Sequence, residues 1–587
     1  MPGAPAGRLL TAALTLASFA AVAPAEGQVE VRFAVTMPMR DGVELVADAW
    51  IPEGLGPFPT ILVRTPYERT MELLGAGAGR PPELGTYFAK QGYVWIIQDT
   101  RGRGDSEGTF HFFRDDGPDG YDSIEWIARQ PWSNGRVCTM GVSYLGTVQW
   151  LAAKERPPHL VCMASTAAAG RWLDELPYLG GALQVQFMLG WTYRTAGRTY
   201  AGANAVGLDW MEIYRHRPLL TMDDAVGRRI EAWREFVEHS TYDDHWKRIS
   251  LEAPRDFETL DLPTLHVTGL FDWDQPGAMY YWRAMQAHSP AATHQYLLLG
   301  PWTHPQTWTG GLTSLGEWRL GAGSVVDYKP IHLAFFDRYL KGSTDRFDFP
   351  RARVFLTGTN QWRDTDAYPP RTVRTERLFL SSGGRANSLA GDGRLSFTTP
   401  AAEPPDRFTA DPDRPVPSSV GTADPRGVDH RPIERRDDVL VYTSERLTDT
   451  LTIVGNVFVT LTAATDGRDT DFTAKLLDVG PDEVARKLGP TEVGVIRARY
   501  RKGRDRTELL EPGAVERYRI ELFDVAHAFL PGHRIRLEIA SAAFPFIDVN
   551  TNTGLLPATD TTSRVARQTV YHDRERLSFV ELPVWRR

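Results

Sequence analysis

Residues 140–146, MGVSYLG, are the stretch of this chain that decides its fold. Before them, residues 136–140 read as a short buried strand that follows the turn residues 133–135. After them, residues 147–154 are rich in alanine and predict a helix. A nucleophile elbow needs this order of strand, sharp turn and helix, because the turn exposes a serine hydroxyl above a sheet. Ser143 is therefore the candidate nucleophile.

The elbow usually has the pattern G-x-S-x-G, and this chain departs from it by one position. Leu145 stands where the second glycine is expected, and Gly146 follows it. The backbone N–H of Tyr144 would face the oxyanion that forms when Ser143 attacks a carbonyl group. Since the chain is rich in glycine, the assignment of the elbow depends on partner residues elsewhere.

Those partners are a histidine base and an acid that holds the tautomer of the histidine. In sheets with a nucleophile elbow, they follow in the order Ser, Asp or Glu, His, each after a later strand. Asp272 comes soon after the predicted strand 264–267, and the alternative, Asp274, lies farther from the strand end. Of the 14 histidines, only His304 lies just beyond a late core strand, 296–299. The sequence therefore predicts a Ser–Asp–His triad.

The second donor to an oxyanion should come from the loop after an early strand. This strand is expected at residues 59–63 and leads into residues 64–67, RTPY. No glycine-rich HGGG-like run occurs here, so the phenol of Tyr67 could donate in its place. An ordinary loop tyrosine is the alternative.

Length and composition limit the classes of protein. At 587 residues the chain is too long for one core, so two or three domains are expected. The 42% hydrophobic and 24% charged residues are typical of a soluble globular enzyme. A net charge of -8 argues against nucleic acid as a partner. The spacing of histidines and acids fits no metal motif, and no cofactor is expected.

The N-terminus is typical of a secretory signal, predicted at residues 1–26. Arg8 precedes the apolar run 9–23, and the small residues 23–25 follow. This run is too short to span a bilayer, and no later stretch is apolar for long enough. We therefore expect a secreted or periplasmic protein that leaves the membrane after signal removal. The sequence is also compatible with a homo-oligomer.

The two cysteines, Cys138 and Cys162, lie in neighbouring predicted core strands. Export permits a disulfide between them. The preferred interpretation is two buried thiols that pack as small hydrophobic side chains.

The pattern of elements changes along the chain and predicts its domains. Residues 27–166 alternate strand-like and helix-like runs, which favours a mostly parallel α/β sheet. Residues 167–254 lose the strand pattern and are read as a helical cap over the site. The α/β pattern returns at residues 255–345. From residue 350 to 587 short alternating strands predict a separate β-sandwich or jelly roll.

Five motifs in order now resemble a known family, that of the cocaine esterases and X-Pro dipeptidyl-peptidases, which includes α-amino-acid ester hydrolases. They are RTPY at 64–67, QDTRG at 98–102, GVSYLG at 141–146, GLFD at 269–272 and GPWTH at 300–304. The resemblance implies an α/β-hydrolase domain with an inserted helical cap and a C-terminal jelly-roll domain. It implies Ser143, Asp272 and His304 as the triad. It also implies the O–H of Tyr67 and the N–H of Tyr144 as the oxyanion hole.

The acids around the triad bear on the substrate. Residues 272–275, DWDQ, are similar to the α-amino-acid ester hydrolases, in which two acids after the catalytic Asp help to bind an ammonium group. Asp274 fits one of these acids, but Gln275 replaces the other. Glu175 or Asp174 in the cap could supply a further carboxylate. The alternative is that these acids are solvated or salt-bridged.

The sequence thus predicts an exported serine hydrolase that cleaves ester or amide bonds of acyl or α-amino-acyl substrates through an acyl-enzyme. Trp172 and Trp273, beside the acids, are expected to contact the substrate, a small ester, an amide or a short peptide. One alternative is an X-Pro dipeptidyl-peptidase that acts on peptides. An alternative of another class is an inactive binding or scaffold protein that uses its β domain.

Overall fold

The computed structural model describes residues 29–70, 81–201, 207–344, 347–419 and 429–586. The expected signal peptide, 1–26, lies outside the described residues. Among the helices that are described, none is long and apolar enough to cross a membrane.

The first segment forms an antiparallel hairpin followed by parallel strands that alternate with helices. The parallel strands are short apolar runs buried on both faces, as in β4, where all six residues are buried. The elements are β1 (Val29–Pro38), β2 (Glu44–Pro52), β3 (Phe58–Thr65), α1 (Pro81–Lys90), β4 (Val94–Asp99), α2 (Asp116–Ala128), β5 (Ser133–Val142), α3 (Tyr144–Lys154) and β6 (Leu160–Thr166).

A mainly helical insertion follows β6. Its elements are β7 (Tyr178–Leu179), β8 (Ala182–Leu183), α4 (Val185–Thr195), α5 (Trp210–Ile213), the 3₁₀ segment Leu219–Val226, α6 (Glu231–Glu238), α7 (Asp244–Ile249) and α8 (Pro254–Glu258). Helix α6 illustrates why these segments fold, because Trp233, Phe236 and Val237 share one helix face and are all buried. That the insertion acts as a cap stays a prediction.

The chain then returns to the sheet. The elements are β9 (Thr264–Phe271), α9 (Gln275–His288), the 3₁₀ segment Ala292–His294, β10 (Gln295–Thr303), α10 (Gln306–Thr309), β11 (Ser314–Leu315), β12 (Trp318–Arg319), the 3₁₀ segment Ala322–Ser324, α11 (Tyr328–Tyr339), β13 (Ala352–Leu356) and β14 (Gln361–Thr365). The ten-stranded sheet has the order β1-β2-β4-β3-β5-β6-β9-β10-β13-β14. Strands β5, β6, β9 and β10 are parallel neighbours, so the loops at their carboxyl ends meet at one sheet edge.

The end of this sheet lies farther along the chain than the sequence indicates. Strand β13 pairs in parallel with β10, with Leu297 opposite Ala352, and β14 pairs with β13 in antiparallel fashion. The sheet therefore continues past residue 350, the expected start of the C-terminal domain, by the length of this hairpin. The hairpin covers the edge of β10, which would otherwise present unpaired backbone groups.

The remaining strands form a separate β-rich domain around a twelve-stranded sheet. Its apolar core continues into the first domain, since Phe271 and Trp282 belong to the same buried cluster as Val525. The expected jelly-roll topology stays a prediction. The elements are β15 (Val373–Ser381), β16 (Arg394–Ser396), β17 (Asp406–Ala410), α12 (Arg431–Glu434), β18 (Leu440–Ser444), β19 (Leu451–Thr465), β20 (Asp471–Val479), β21 (Ala485–Lys487), β22 (Gly494–Arg497), the 3₁₀ segment Ala498–Tyr500, β23 (Glu516–Phe529), β24 (Arg534–Ala540), β25 (Ala566–Tyr571) and β26 (Phe579–Trp585).

The two cysteines form a disulfide, so the preferred interpretation of two free thiols is wrong. Cys138 on β5 lies directly opposite Cys162 on β6 in the parallel register. Their Cα atoms are 4.8 Å apart, within the range that a disulfide bridges. The pair joins the strand that carries the elbow to its neighbour.

Candidate active site

Ser143 occupies a strained turn between β5 and α3. Its backbone has φ 63° and ψ -129°, which is rare for a residue with a side chain. The N–H of Ser143 donates to the carbonyl oxygen of Thr166 at 3.0 Å, which ties the turn to the end of β6. Such a turn lifts the hydroxyl above the sheet edge, as an elbow requires.

Two glycines make room for this turn. A Cβ atom on Gly141 would lie 2.6 Å from the Cβ of Leu145, closer than side-chain atoms pack. A Cβ atom on Gly146 would lie 2.5 Å from the carbonyl oxygen of Thr166. The close approach of α3 to β6 thus falls at position 146, and Leu145 is instead buried in the core. This packing explains the displaced glycine of the motif.

The structure brings the three predicted triad residues together. The Oγ of Ser143 lies 2.8 Å from the Nε2 of His304, and the Nδ1 of His304 lies 2.7 Å from the Oδ1 of Asp272. The carboxylate of Asp272 is fully buried and accepts further hydrogen bonds from the N–H of Asp274 at 3.0 Å and the hydroxyl of Thr268 at 3.3 Å. In this arrangement the histidine can remove the serine proton while the acid holds its tautomer.

Tyr67 lies beside the serine, near enough for its hydroxyl to interact with the side chain of Ser143. The same hydroxyl accepts from the Nε1 of Trp191 at 3.2 Å. Burial raises the pKa of Tyr67 because a phenolate there would lose its water. The phenol therefore keeps its proton and can donate it in a hydrogen bond.

The backbone N–H of Tyr144 is in the first turn of α3, where N–H groups have no partner within the helix. Its side chain is anchored below, because the hydroxyl donates to the Oδ2 of Asp116 at 2.5 Å and accepts from the N–H of Phe113 at 3.0 Å. Burial raises the pKa of Asp116 to about 6. Tyr67 and Tyr144 thus present an O–H and an N–H near the reacting oxygen of Ser143.

Asp274 is a buried acid next to the triad. It is 3% exposed, and its Oδ2 lies 3.7 Å from the Nδ1 of His304. Its Oδ1 has no hydrogen-bond partner among the residues that the structure describes. Burial, then the charges of Asp272 and Glu175, raise the pKa of Asp274 well above its usual range. The neutral form of this carboxyl group is therefore favoured unless a cation beside it compensates the charge of the ionised form.

Glu175 has a different environment. Its Oε2 accepts from the N–H groups of Gly170 and Arg171 at 2.9 and 3.0 Å, and its Oε1 accepts from the N–H of Gly277 at 2.8 Å. Burial raises the pKa of Glu175 to about 8. The carboxyl group thus ties the start of the insertion to α9, and a contact with substrate stays a prediction. Asp174 is the other acid predicted in the cap, and its Oδ2 lies 3.3 Å from the Nη1 of Arg504.

The two predicted tryptophans lie in different surroundings. Trp273 stacks on His304, with ring centroids 4.6 Å apart. Trp172 is 1% exposed, donates from Nε1 to the carbonyl oxygen of Ile249 and packs against Phe113. Within the described contacts, the structure brings Trp273 to the triad but places Trp172 in the interior of the insertion, where a large apolar ring is stabilised by burial.

Three aromatic residues near the triad were not predicted from the sequence as site residues. Phe187 and Trp191 stack at 5.6 Å on one face of α4, and Phe187 also contacts Trp273 at 5.6 Å. Trp308 packs edge-on against His304, with centroids 5.1 Å apart. The i, i+4 spacing of Phe187 and Trp191 was a usable signal for a shared helix face, but not for which surface that face contacts.

An apolar cavity of about 400 Å³ adjoins the site. Its walls include Val142, directly before the serine, and Trp308, which contacts His304. Met140, Leu145 and Tyr328 also line it. Its size is in the range of pockets that take small molecules. In the described part of the chain, no group of three or more His, Cys, Asp or Glu side chains could hold a metal ion.

The α/β sheet, with a Ser–His–Asp array at its carboxyl edge, defines the class of the protein, a serine hydrolase of α/β-hydrolase-like fold. Residues 41–306 match the model of the X-Pro dipeptidyl-peptidase (S15) family. Residues 346–581 match the X-Pro dipeptidyl-peptidase C-terminal non-catalytic domain. The chain therefore belongs to this family, as its motifs indicate, and it is an enzyme.

Three relatives extend over nearly the whole chain. A cocaine esterase from Rhodococcus sp. (strain MB1 Bresler) is 35% identical and covers 96% of this chain and 100% of its own. The crystal structure of an aminopeptidase from the marine sediment archaeon Thaumarchaeota archaeon matches with a TM-score of 0.82 at 27% identity, covering 95% of this chain and 96% of the other. An α-amino acid ester hydrolase also matches with a TM-score of 0.82 at 27% identity, covering 98% and 100%.

Proposed function

We propose that this chain is an exported serine hydrolase that cleaves ester or amide bonds of acyl or α-amino-acyl substrates through an acyl-enzyme. The observation that carries the proposal is the hydrogen-bond chain from Asp272 through His304 to the hydroxyl of Ser143. Family membership with a cocaine esterase and the structural likeness to an α-amino acid ester hydrolase support ester substrates.

The proposed reaction has two halves. The Nε2 of His304 takes the proton of Ser143 as its Oγ attacks the substrate carbonyl, and the O–H of Tyr67 and N–H of Tyr144 stabilise the oxyanion. The histidine then gives the proton to the leaving oxygen or nitrogen, which leaves an acylated serine. Water, deprotonated by the same histidine, attacks this ester and releases the acid.

The apolar cavity beside the elbow is a reason to expect substrates that carry a compact apolar group. Its walls at Val142 and Trp308 lie next to the nucleophile and the base. An aryl or branched alkyl group there would gain from burial about 25 cal/mol per Å² of apolar surface. Esters with such groups should therefore react with a higher kcat/KM than acetate esters.

Asp274 supports the α-amino-acyl part of the proposal. Its Oδ1 lacks a partner among the described residues and lies beside the triad. An ammonium group on the substrate would supply that partner and favour the ionised carboxylate. Because the carboxyl group has a raised pKa, binding of the ammonium should release a proton.

A fluorophosphonate probe and a substrate panel test the proposed function. The probe should label the wild-type protein and not Ser143→Ala, because only an activated serine reacts with it. A panel of p-nitrophenyl esters, α-amino-acid esters and X-Pro anilides then separates an esterase from a dipeptidyl-peptidase. Hydrolysis of the X-Pro anilides alone would favour the peptidase. Absence of both labelling and turnover would favour a binding or scaffold protein.

Export is tested on the mature protein. The signal-like residues 1–26 predict an N-terminus near residues 26–29 after secretion in the native host. N-terminal sequencing of protein from the periplasm or medium should find it there. An intact Met1 on protein confined to the cytoplasm would contradict export and leave the proposed chemistry untouched.

A further inference from the structure

Gln275 is a fully buried polar side chain at the first position of α9. Its amide makes two hydrogen bonds with the backbone of Asp524 on β23. The Nε2 donates to the carbonyl oxygen of Asp524 at 3.0 Å, and the Oε1 accepts from the N–H of Asp524 at 3.2 Å. The side chain thus takes the place that a neighbouring strand would have.

The backbone N–H and carbonyl groups of Asp524 can pair with Gln275 because β23 is irregular at this point. The register between β19 and β23 shifts between Val457 and Phe458, and Phe523 opposite has φ 63°. A bulge of this kind twists a strand and redirects its backbone groups. Thr357 covers the same strand nearby, since it accepts from the N–H of Ala528 at 2.9 Å. The bulged strand therefore docks on the first domain through backbone hydrogen bonds.

Gln275 is also connected to Asp272. The N–H of Gln275 donates to the carbonyl oxygen of Asp272 at 2.9 Å, and the N–H of Asp274 donates to the Oδ1 of Asp272 at 3.0 Å. This same Oδ1 lies 2.7 Å from the Nδ1 of His304. A shift of Gln275 would therefore move its own N–H, which holds the backbone carbonyl of Asp272, and the adjacent N–H of Asp274, which orients the Asp272 carboxylate.

We propose that Gln275 is a positioning residue, which holds the loop of Asp272 in place by pairing with the backbone of Asp524. The C-terminal domain then contributes to catalysis through the bulge on β23, although it supplies no reacting group. The inference rests on the proposed function, because it takes Asp272 as the acid of the triad.

Gln275→Leu tests this, because leucine is similar in size but makes neither hydrogen bond. We expect kcat to fall roughly 10–100-fold with KM within about threefold, as for a small displacement of a catalytic group. Gln286→Leu is the matched control, since it removes a glutamine amide from the same helix that donates to the carbonyl oxygen of Ala292 at 3.3 Å. The control should keep kcat within about threefold.

Proton NMR supplies a readout that lost stability alone would not move. The proton between His304 and Asp272 should give a downfield resonance that shifts or broadens in Gln275→Leu and stays unchanged in Gln286→Leu. If Gln275→Leu fails to fold, Gln275→Asn keeps an amide that is one CH₂ shorter, and the same changes are expected. A lowered melting temperature with unchanged kcat and resonance would overturn the inference.

Asp272→Asn distinguishes this failure from failure of the proposed function. An unchanged kcat in Asp272→Asn would remove Asp272 from the triad, and the proposed mechanism would fail with it. A large loss in Asp272→Asn together with normal kcat in Gln275→Leu would overturn only the role of Gln275.

Discussion

The elbow at Ser143 and the acid loop at Asp272 reach the same site by different means. The elbow is fixed by close contacts of Gly141 and Gly146 with nearby residues, which lie no farther along the chain than Ala168. The acid loop is instead connected to Asp524, 249 residues after Gln275. One half of the site thus depends on local packing and backbone strain, and the other depends on the docking of a second domain.

The comparison explains which half of the site can be deduced from the sequence. A strained turn needs small residues at fixed offsets, so its signature lies in adjacent letters. A loop held by a distant backbone group has no such signature. Gln275 reads as a departure from the ammonium-binding motif, and only the structure shows its two hydrogen bonds with Asp524.

The largest expected effect tests the elbow itself. Ser143→Ala should lower kcat by at least about 10⁴-fold, as loss of a triad nucleophile generally does. The fold should be retained, because the hydroxyl is not needed for the packing of Leu145 or Gly146. Steady-state kinetics and a melting curve check both points. Retention of more than about a tenth of wild-type turnover would exclude Ser143 as the nucleophile.

The next effect concerns the oxyanion. Tyr67→Phe removes only the hydroxyl and should lower kcat roughly 10²–10³-fold with little change in KM, since the interaction is made mainly in the transition state. Tyr200→Phe is the matched control, because Tyr200 packs edge-on against Tyr67 and its hydroxyl accepts from Arg194. A loss of less than about threefold in Tyr67→Phe would indicate a packing role.

Asp274→Asn probes the acid loop through substrate charge. The ratio of kcat/KM for an α-amino ester to its deaminated analogue should fall about tenfold, the value of one partly desolvated ion pair of about 1.4 kcal/mol. In the wild type this ratio should rise with pH as Asp274 loses its proton and fall again above the pKa of the substrate amine. The rising limb should be absent in the variant.

Asp174→Asn is the control, since Asp174 is the other candidate cap acid and pairs with Arg504. Equal ratios in the wild type and Asp274→Asn would reject recognition of an ammonium. A loss confined to Asp174→Asn would move the role to that residue.

Asp274→Asn also has a consequence for stability. The pKa of Asp274 is raised in the folded state. Its contribution to the free energy of unfolding is therefore fully present below its pKa in the unfolded chain, about 4, and is lost as pH rises towards the raised pKa. Relative to the wild type, Asp274→Asn should therefore gain stability as pH increases from 5 to 9. Urea unfolding at several pH values measures this, and a constant difference would contradict the burial argument.

The smallest effect on activity is expected for the packing below the elbow. Gly146→Ala places a Cβ atom against the carbonyl oxygen of Thr166 and should destabilise the fold by about 1–3 kcal/mol. Gly323→Ala is the matched control, because a Cβ atom there meets nothing within 4 Å. Urea unfolding should separate the two variants, and equal stabilities would show that the turn can relax.

Sequence reasoning placed much of the fold because its signals are periodic. The alternating α/β pattern predicted for residues 27–166 corresponds to β3–β6 and the helices between these strands. The continuation of the sheet beyond β10 could not be deduced, because β13 and β14 have the short alternating pattern of the C-terminal strands. Whether they pair with β10 depends on which sheet edge is open, and that is a property of the assembled sheet.

The candidate site shows the same division. The order of Ser143, Asp272 and His304 could be deduced because each follows a strand of the same sheet. The roles of Trp172 and Glu175 could not, because burial of a large ring and capture of a carboxylate by three N–H groups arise only in the folded chain. Phe187, Trp191 and Trp308 were missed for the converse reason, since aromatic residues are as common in cores as in pockets.

The hairpin of β13 and β14 limits how the gene can be divided. A shortened chain that stops at residue 345 would lack both strands and would expose the edge of β10, a site for intermolecular strand pairing. It would also lack the second half of the apolar cluster to which Phe271 and Trp282 belong. Recombination between relatives should therefore keep more native pairings together when the breakpoint falls between β14 and β15 than when it falls between β10 and β13.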